Sequence, residues 1–127
     1  MKEALKIRIE KSETKPPVAV FYLQGYLQAN TLEQFTQTID SVLDEGIYHL
    51  IFFCNDIAFA SSAAFGELLN ILDKVEQHDG RLVMCCLSLP VAEVFDLLDF
   101  YDIFVVTNTI EEALQKITEK REGSGNQ

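Results

Sequence analysis

Past Gly46 the sequence alternates three times between a short apolar run and a stretch whose apolar residues recur at helical spacing. The runs are Leu50 to Cys54, Arg81 to Leu87 and Ile103 to Val106. Each has strand length, and continuous apolarity is the mark of a strand covered on both faces. The stretches that follow them carry Phe65, Leu68, Leu69, Leu72 and Val75, then Val91 to Leu98, then Ile110, Ala113, Leu114 and Ile117. Strands joined through helices run parallel, so the order demands an α/β fold with a mostly parallel sheet.

The chain before Gly46 adds two strands and a helix. Leu5, Ile7 and Ile9 alternate with charged residues, the period of a strand with one wet face, and Val18 to Leu23 reads as a more buried strand beyond a turn at residues 12–17. A helix is expected to begin near Asn30 or Thr31. Thr31 with Gln34 has the capping-box pattern, Leu32, Phe35, Ile39, Val42 and Leu43 share a face, and Gly46 suits the position just past the helix end. Asn55 to Phe59 reads as a connection, and the second helix starts at Ser61 or Ser62. Asp79-Gly80 stops that helix, Pro90 fits a first helical turn, and Thr109 with Glu112 forms another capping box. The expected order is ββαβαβαβα, about five strands and four helices, in one domain over residues 1–118. Residues 119–127 are polar and expected to be a disordered tail.

Composition narrows the function classes. With 127 residues and 48% hydrophobic content the chain suits one domain with one core. No run approaches the roughly 18 to 20 apolar residues of a membrane span, and residues 1–10 lack a signal-peptide core, so a cytoplasmic protein without membrane insertion is expected. A formal net charge of −10 repels phosphate backbones, which argues against direct nucleic-acid binding. The acidic residues read as a solvated surface spread along the chain. Cys54, Cys85 and Cys86 lack CxxC spacing or paired histidines and sit in apolar runs, as core thiols of a reducing compartment do.

In open α/β sheets the loops at the carboxyl ends of the strands carry function, and two stand out: residues 25–30 and 55–62. Ser61-Ser62 opens a helix, where free N–H groups and the dipole favour an anion. A serine there also serves simply as an N-cap. A serine hydrolase would need a base in reach; His78 lies about 24 Å down the same helix at 1.5 Å per residue. His49 lies roughly 15 to 20 Å away at the far end of a strand. No catalytic residue, cofactor or metal site is expected. Asp56, Glu67 and Asp73 invite a metal-cluster reading, but Glu67 and Asp73 are six apart on a helix and do not share a face cleanly, so all three read as surface carboxylates. Gly123-Ser124-Gly125 lies in the polar tail. Phe65 is either core or a partly exposed contact, and Tyr26 after Gly25 suits a partner interface.

The segment from His49 to Gly66 resembles the strand, loop and helix start of STAS domains, the family of bacterial anti-sigma-factor antagonists. Leu23-Gln-Gly-Tyr-Leu27 resembles that family's L-x-G-x-L signature. Gly80 with the strand behind it, and Val94-Phe95 with Leu97-Leu98, resemble its later elements, so the likeness covers roughly residues 4 to 118. The resemblance implies a STAS fold and a non-enzymatic antagonist that, unphosphorylated, sequesters an anti-sigma factor that is also a serine protein kinase. It further implies phosphorylation of one serine to end binding and a PP2C-type phosphatase to reset it. The acceptor position falls on Ser62, with Ser61 the second choice. The implied partner surface comprises Gly25, Tyr26, Leu27, Gln28, Asn30, Asn55, Asp56, Ser61, Ser62, Phe65 and Gly66. Ser61 stands where many relatives carry Asp, and Ala63-Ala64 where they carry Ser-Gly or Ala-Gly. Phe53 and Gln28 replace frequent polar and Asp residues. Two readings follow: a phospho-switched antagonist, or a constitutive STAS scaffold subunit of a larger regulatory or transport assembly.

Overall fold

The computed structural model describes residues 4–119. Its elements are β1 (Leu5–Ser12), β2 (Val18–Leu27), α1 (Ala29–Asp44), β3 (His49–Ala60), α2 (Ser62–Glu76), β4 (Arg81–Cys85), α3 (Leu89–Leu97), a 3₁₀ turn (Phe100–Asp102), β5 (Val105–Thr107) and α4 (Ile110–Thr118). The strands form one sheet in chain order, with β1 antiparallel to β2 and all later pairs parallel. The fold is therefore the expected ββαβαβαβα arrangement of five strands and four helices. All but Glu119 of the expected tail, with Gly123-Ser124-Gly125, lies outside the described residues.

Alternation along the strands divides the core into two layers. Phe21, Leu23, Leu50 and Phe52 face α1, α2 and α3, whose Phe35, Ile39, Leu68, Ile71 and Phe95 complete the larger layer. Phe21 and Phe35 both meet Phe52 edge-on, at 5.4 Å and 5.7 Å between ring centroids. Val18, Val20, Ile51 and Val83 face the other way, under Ala113 and Ile117 of α4 alone. Three helices thus cover one face and one covers the other. Leu69 and Leu114, expected on buried stripes, are exposed, and Ile71 takes the buried place on α2.

Several element boundaries fall elsewhere than the sequence predicts. Asn55 to Phe59 is strand, because β2 also continues to Leu27 and supplies the ladder partners Gln24↔Asp56, Gly25↔Ile57 and Tyr26↔Phe59, with register shifts absorbing the misfit. Polar Asn55 and Asp56 face solvent there, so polarity did not mark a loop. Helix α1 starts at Ala29, with Gln28 as N-cap; Thr31 is its third residue and accepts from the Gln28 N–H at 3.1 Å. Gln34 does not cap; its amide donates to the Leu5 carbonyl at 3.0 Å and ties α1 to β1. Strand β4 stops at Cys85, because Cys86 adopts φ +58. Ile103 and Phe104 are not strand: both N–H groups bond the Phe100 carbonyl. Helix α3 spans Leu89–Leu97, so it begins before Pro90 and ends one residue earlier than expected.

Candidate functional site

The amino ends of α1 and α2 lie side by side at the carboxyl edge of the sheet. β2 and β3 remain paired out to Leu27↔Ala60, and the Ser61 N–H donates to the Leu27 carbonyl at 2.8 Å. The region is a strand-backed platform and not a pair of free loops. Gly25 allows it to form. Its φ is +114, and a Cβ would lie 2.2 Å from the Ala4 carbonyl oxygen, which accepts from the Tyr26 N–H at 3.0 Å. Thr31 is buried, and its hydroxyl donates to the Tyr26 carbonyl at 2.6 Å, fixing the entry to α1.

The two serines have different environments. Ser61 is the N-cap of α2, with extended backbone and a side-chain oxygen that accepts from the Ala64 N–H at 3.3 Å. Ser62 is the first helical residue and exposed, and among the described residues nothing hydrogen-bonds its hydroxyl. Gly66, four residues on, shares that exposed face, with open space where a Cβ would stand. No acidic residue occupies the first turn of α1 or α2, so the partial positive charge of both helix ends is unopposed by a carboxylate of their own.

Other expected contact residues are placed differently. Phe65 is buried at 3% exposure and meets Phe95 and Phe100 edge-on at 6.0 Å and 5.9 Å, so of its two sequence readings the core one holds. Leu27 is buried too and supports the platform from beneath. Tyr26 and Gln28 are half-buried, and Asn30 is exposed. Asn55 and Asp56 are exposed and bonded to each other at 3.2 Å, but Asp56 lines an open cavity of about 500 Å³ with Lys6, Arg8, Tyr22 and Phe53. Phe53 belongs to the α4 side of the sheet, so Asp56 borders a different surface from the Ser62 helix face. At that cavity the Arg8 guanidinium sits 3.9 Å above the Tyr22 ring, and its hydrogen bond holds the Glu10 carboxyl below its ordinary range.

Neither histidine approaches Ser62. His49 begins β3 in register with Val18 and Arg81, at the opposite end of the strand from Ala60. His78 stacks on Tyr48 with centroids 4.1 Å apart. Asp56, Glu67 and Asp73 are engaged separately, the latter two with Asn70 and Gln77, and no described cluster of three His, Cys, Asp or Glu residues could hold a metal ion. Burial pushes the Cys54 thiol far up and that of Cys85 up to about 12, so both stay neutral. Among the described residues no helix is long and apolar enough to cross a membrane.

Comparison with known proteins places this architecture. The STAS domain family matches residues 10–113, and the chain belongs to that family. It is 31% identical over 91 residues to BtrV of Bordetella bronchiseptica, a protein named as an anti-sigma factor antagonist; the match covers 72% of this chain and 78% of BtrV. The fold is shared with an anti-sigma factor antagonist from Mycobacterium paratuberculosis, with a TM-score of 0.79, 16% identity and coverage of 91% of this chain and 95% of that one. It is also shared with the unphosphorylated form of the anti-sigma factor antagonist SpoIIAA, with a TM-score of 0.75, 21% identity and coverage of 92% and 100%.

Proposed function

We propose that this protein is a non-enzymatic anti-sigma factor antagonist that binds an anti-sigma factor with serine-kinase activity and is released when Ser62 is phosphorylated. The observation that carries the reading is the division of labour between the serines. Ser61 is occupied as the cap of α2, whereas Ser62 stands exposed and unbonded at the same helix end. A phosphate on Ser62 adds about −1.5 to −2 charge at pH 7. The helix end accommodates that charge locally, but a partner docked over it would meet an added dianion and an added desolvation cost. The contact surface would combine Ser62 and Gly66 with Tyr26, Gln28 and Asn30 at the adjoining end of α1. Gly25, Leu27 and Phe65 hold it in shape, whereas Asp56 lies on the cavity side of the strands, outside it. The relationship to BtrV supports the class of partner. A PP2C-type phosphatase would return the protein to its binding state, and the cytoplasm is the compartment where such partners act.

Ser61 and Ala63-Ala64, in place of the acidic and glycine residues of many relatives, favour a second reading: a constitutive STAS subunit in which Ser62 is never modified. Affinity purification of wild type, Ser62→Ala and Ser62→Asp chains from the source organism separates the two. The switch predicts a kinase-like partner retained by wild type and Ser62→Ala and lost with Ser62→Asp. Equal retention by all three, unaffected by ATP, would support the scaffold.

A further inference from the structure

We infer a second docking surface, on the outer side of α3 and the 3₁₀ turn, built to receive an amphipathic segment of another protein whose apolar face is bordered by lysine or arginine. The acidic residues are spread along the chain as expected, but the basic ones that would offset them are not. From Leu82 to Gln115 there is no Lys, Arg or His, while Glu93, Asp96, Asp99, Asp102, Glu111 and Glu112 all fall in that stretch. Within it the apolar side chains do not all turn inward. Leu97 is 79% exposed, Leu98 and Tyr101 are each 46% exposed, and Ile103 is 48% exposed.

These four exposed residues are close together in the chain. All lie within the segment 97–103, where Asp99 takes up φ +58 and turns the chain from α3 into the 3₁₀ turn. The Tyr101 ring packs on Phe95 at 5.7 Å, and Phe95 in turn meets Phe100 and Phe104, so a common aromatic cluster backs the patch. Scattered exposed leucines are ordinary on a protein surface, but four exposed apolar residues within seven positions, set over a packed aromatic cluster, are the kind of surface that binds a partner. Asp96, Asp99 and Asp102 alternate with the patch residues and are exposed. The ion pairs among the described residues, Arg8–Glu10, Lys11–Glu45, Lys74–Asp40 and Lys116–Glu119, include none of them.

Charge decides the occupant. A second copy docked through the same patch would oppose carboxylates with carboxylates, and anionic lipid or nucleic acid would be repelled. A protein segment with basic residues flanking an apolar face complements both features. None of the patch residues belongs to the contact surface proposed around Ser62, although Phe100 beneath them meets Phe65 of the first turn of α2 at 5.9 Å.

A suitable probe is a 14-residue amidated peptide of leucine and lysine at helical spacing, titrated into ¹⁵N-labelled full-length protein, with a leucine–glutamate peptide as control. The lysine peptide should produce saturable shifts centred on residues 96–104, and the glutamate peptide none. Leu97→Ser with Ile103→Ser should weaken binding about tenfold or more. Asp96→Asn with Asp102→Asn, or added salt, should weaken it severalfold. Leu69→Ser, at an exposed leucine of α2, should leave it unchanged. Because the substituted side chains are exposed, the variants should fold, which their circular dichroism would verify. Shifts spread over other acidic surfaces, indifference to Leu97→Ser with Ile103→Ser, equal binding of the glutamate peptide, or a dimer formed through the patch would each overturn the inference.

Discussion

Helices α2 and α4 both begin with a hydroxyl cap, yet their amino ends are finished differently. At α4 the Thr109 oxygen accepts from the Glu112 N–H at 3.0 Å, the Glu112 carboxylate accepts from the Asn108 N–H at 3.0 Å, and Glu111 adds a second charge to the first turn. The helix supplies its own anion. At α2 the Ser61 cap is present, but Ser62, Ala63 and Ala64 follow and no carboxylate closes the end. In a chain with twenty acidic residues, that omission leaves one favourable anion position beside an exposed hydroxyl. The same capping chemistry thus makes a finished terminus at α4 and an open one at α2.

Anchoring of the two ends gives the largest expected effect. Phe65 fixes the first turn of α2 in the aromatic cluster, so Phe65→Ala should cost about 3 to 5 kcal/mol in urea denaturation. Ile110, only half-buried at the start of α4, should cost less than half as much when changed to Ala. Equal losses would mean that the α2 end is no more firmly held than the α4 end.

Capping comes next. Ser61→Ala and Thr109→Ala should each cost about 1 kcal/mol, whereas Ser62→Ala should fall within about 0.5 kcal/mol of wild type. If Ser62→Ala cost as much as Ser61→Ala, Ser62 would be a structural hydroxyl and the distinction between the serines would fail. Smaller still is the response to charge. Ser62→Asp should stabilise the fold by about 0.3 to 1 kcal/mol at low salt, and Glu112→Gln should destabilise it by a similar amount, both fading as salt is raised. A destabilising Ser62→Asp would show that the α2 end does not welcome an anion. Gly66→Ala, on the exposed face next to Ser62, should add about 0.5 to 1 kcal/mol through helix propensity alone, and a loss would indicate a tighter environment than the structure has.

Much of this contrast was legible in the sequence. Thr109 and Glu112 at capping-box spacing mark the α4 end from composition and position alone, and the three strand–helix repeats, the last of which α4 closes, fix the parallel sheet. Residues whose role depends on long-range pairing were less legible. Asn55 to Phe59 reads as a connection by its polarity, and only the extension of β2 to Leu27 supplies the backbone partners that make it strand. Helical spacing places Phe65 in the first turn of α2 without saying whether α3 will close over it. The serines could be narrowed to a helix start, but which of them caps depends on the backbone conformation at Ser61. The exposed apolar patch was hidden for a similar reason, since Leu97 and Ile103 look like core until the turn at Asp99 directs them outward.

The central claim is that Ser62, and not Ser61, receives the phosphoryl group. The most direct measurement is intact-mass analysis of wild type, Ser61→Ala and Ser62→Ala proteins after incubation with ATP and a lysate of the source organism shown to phosphorylate another antagonist. One added phosphoryl group on wild type and Ser61→Ala, absent from Ser62→Ala, is the predicted result. Addition that persists in Ser62→Ala, or no addition to any of the three, would contradict it.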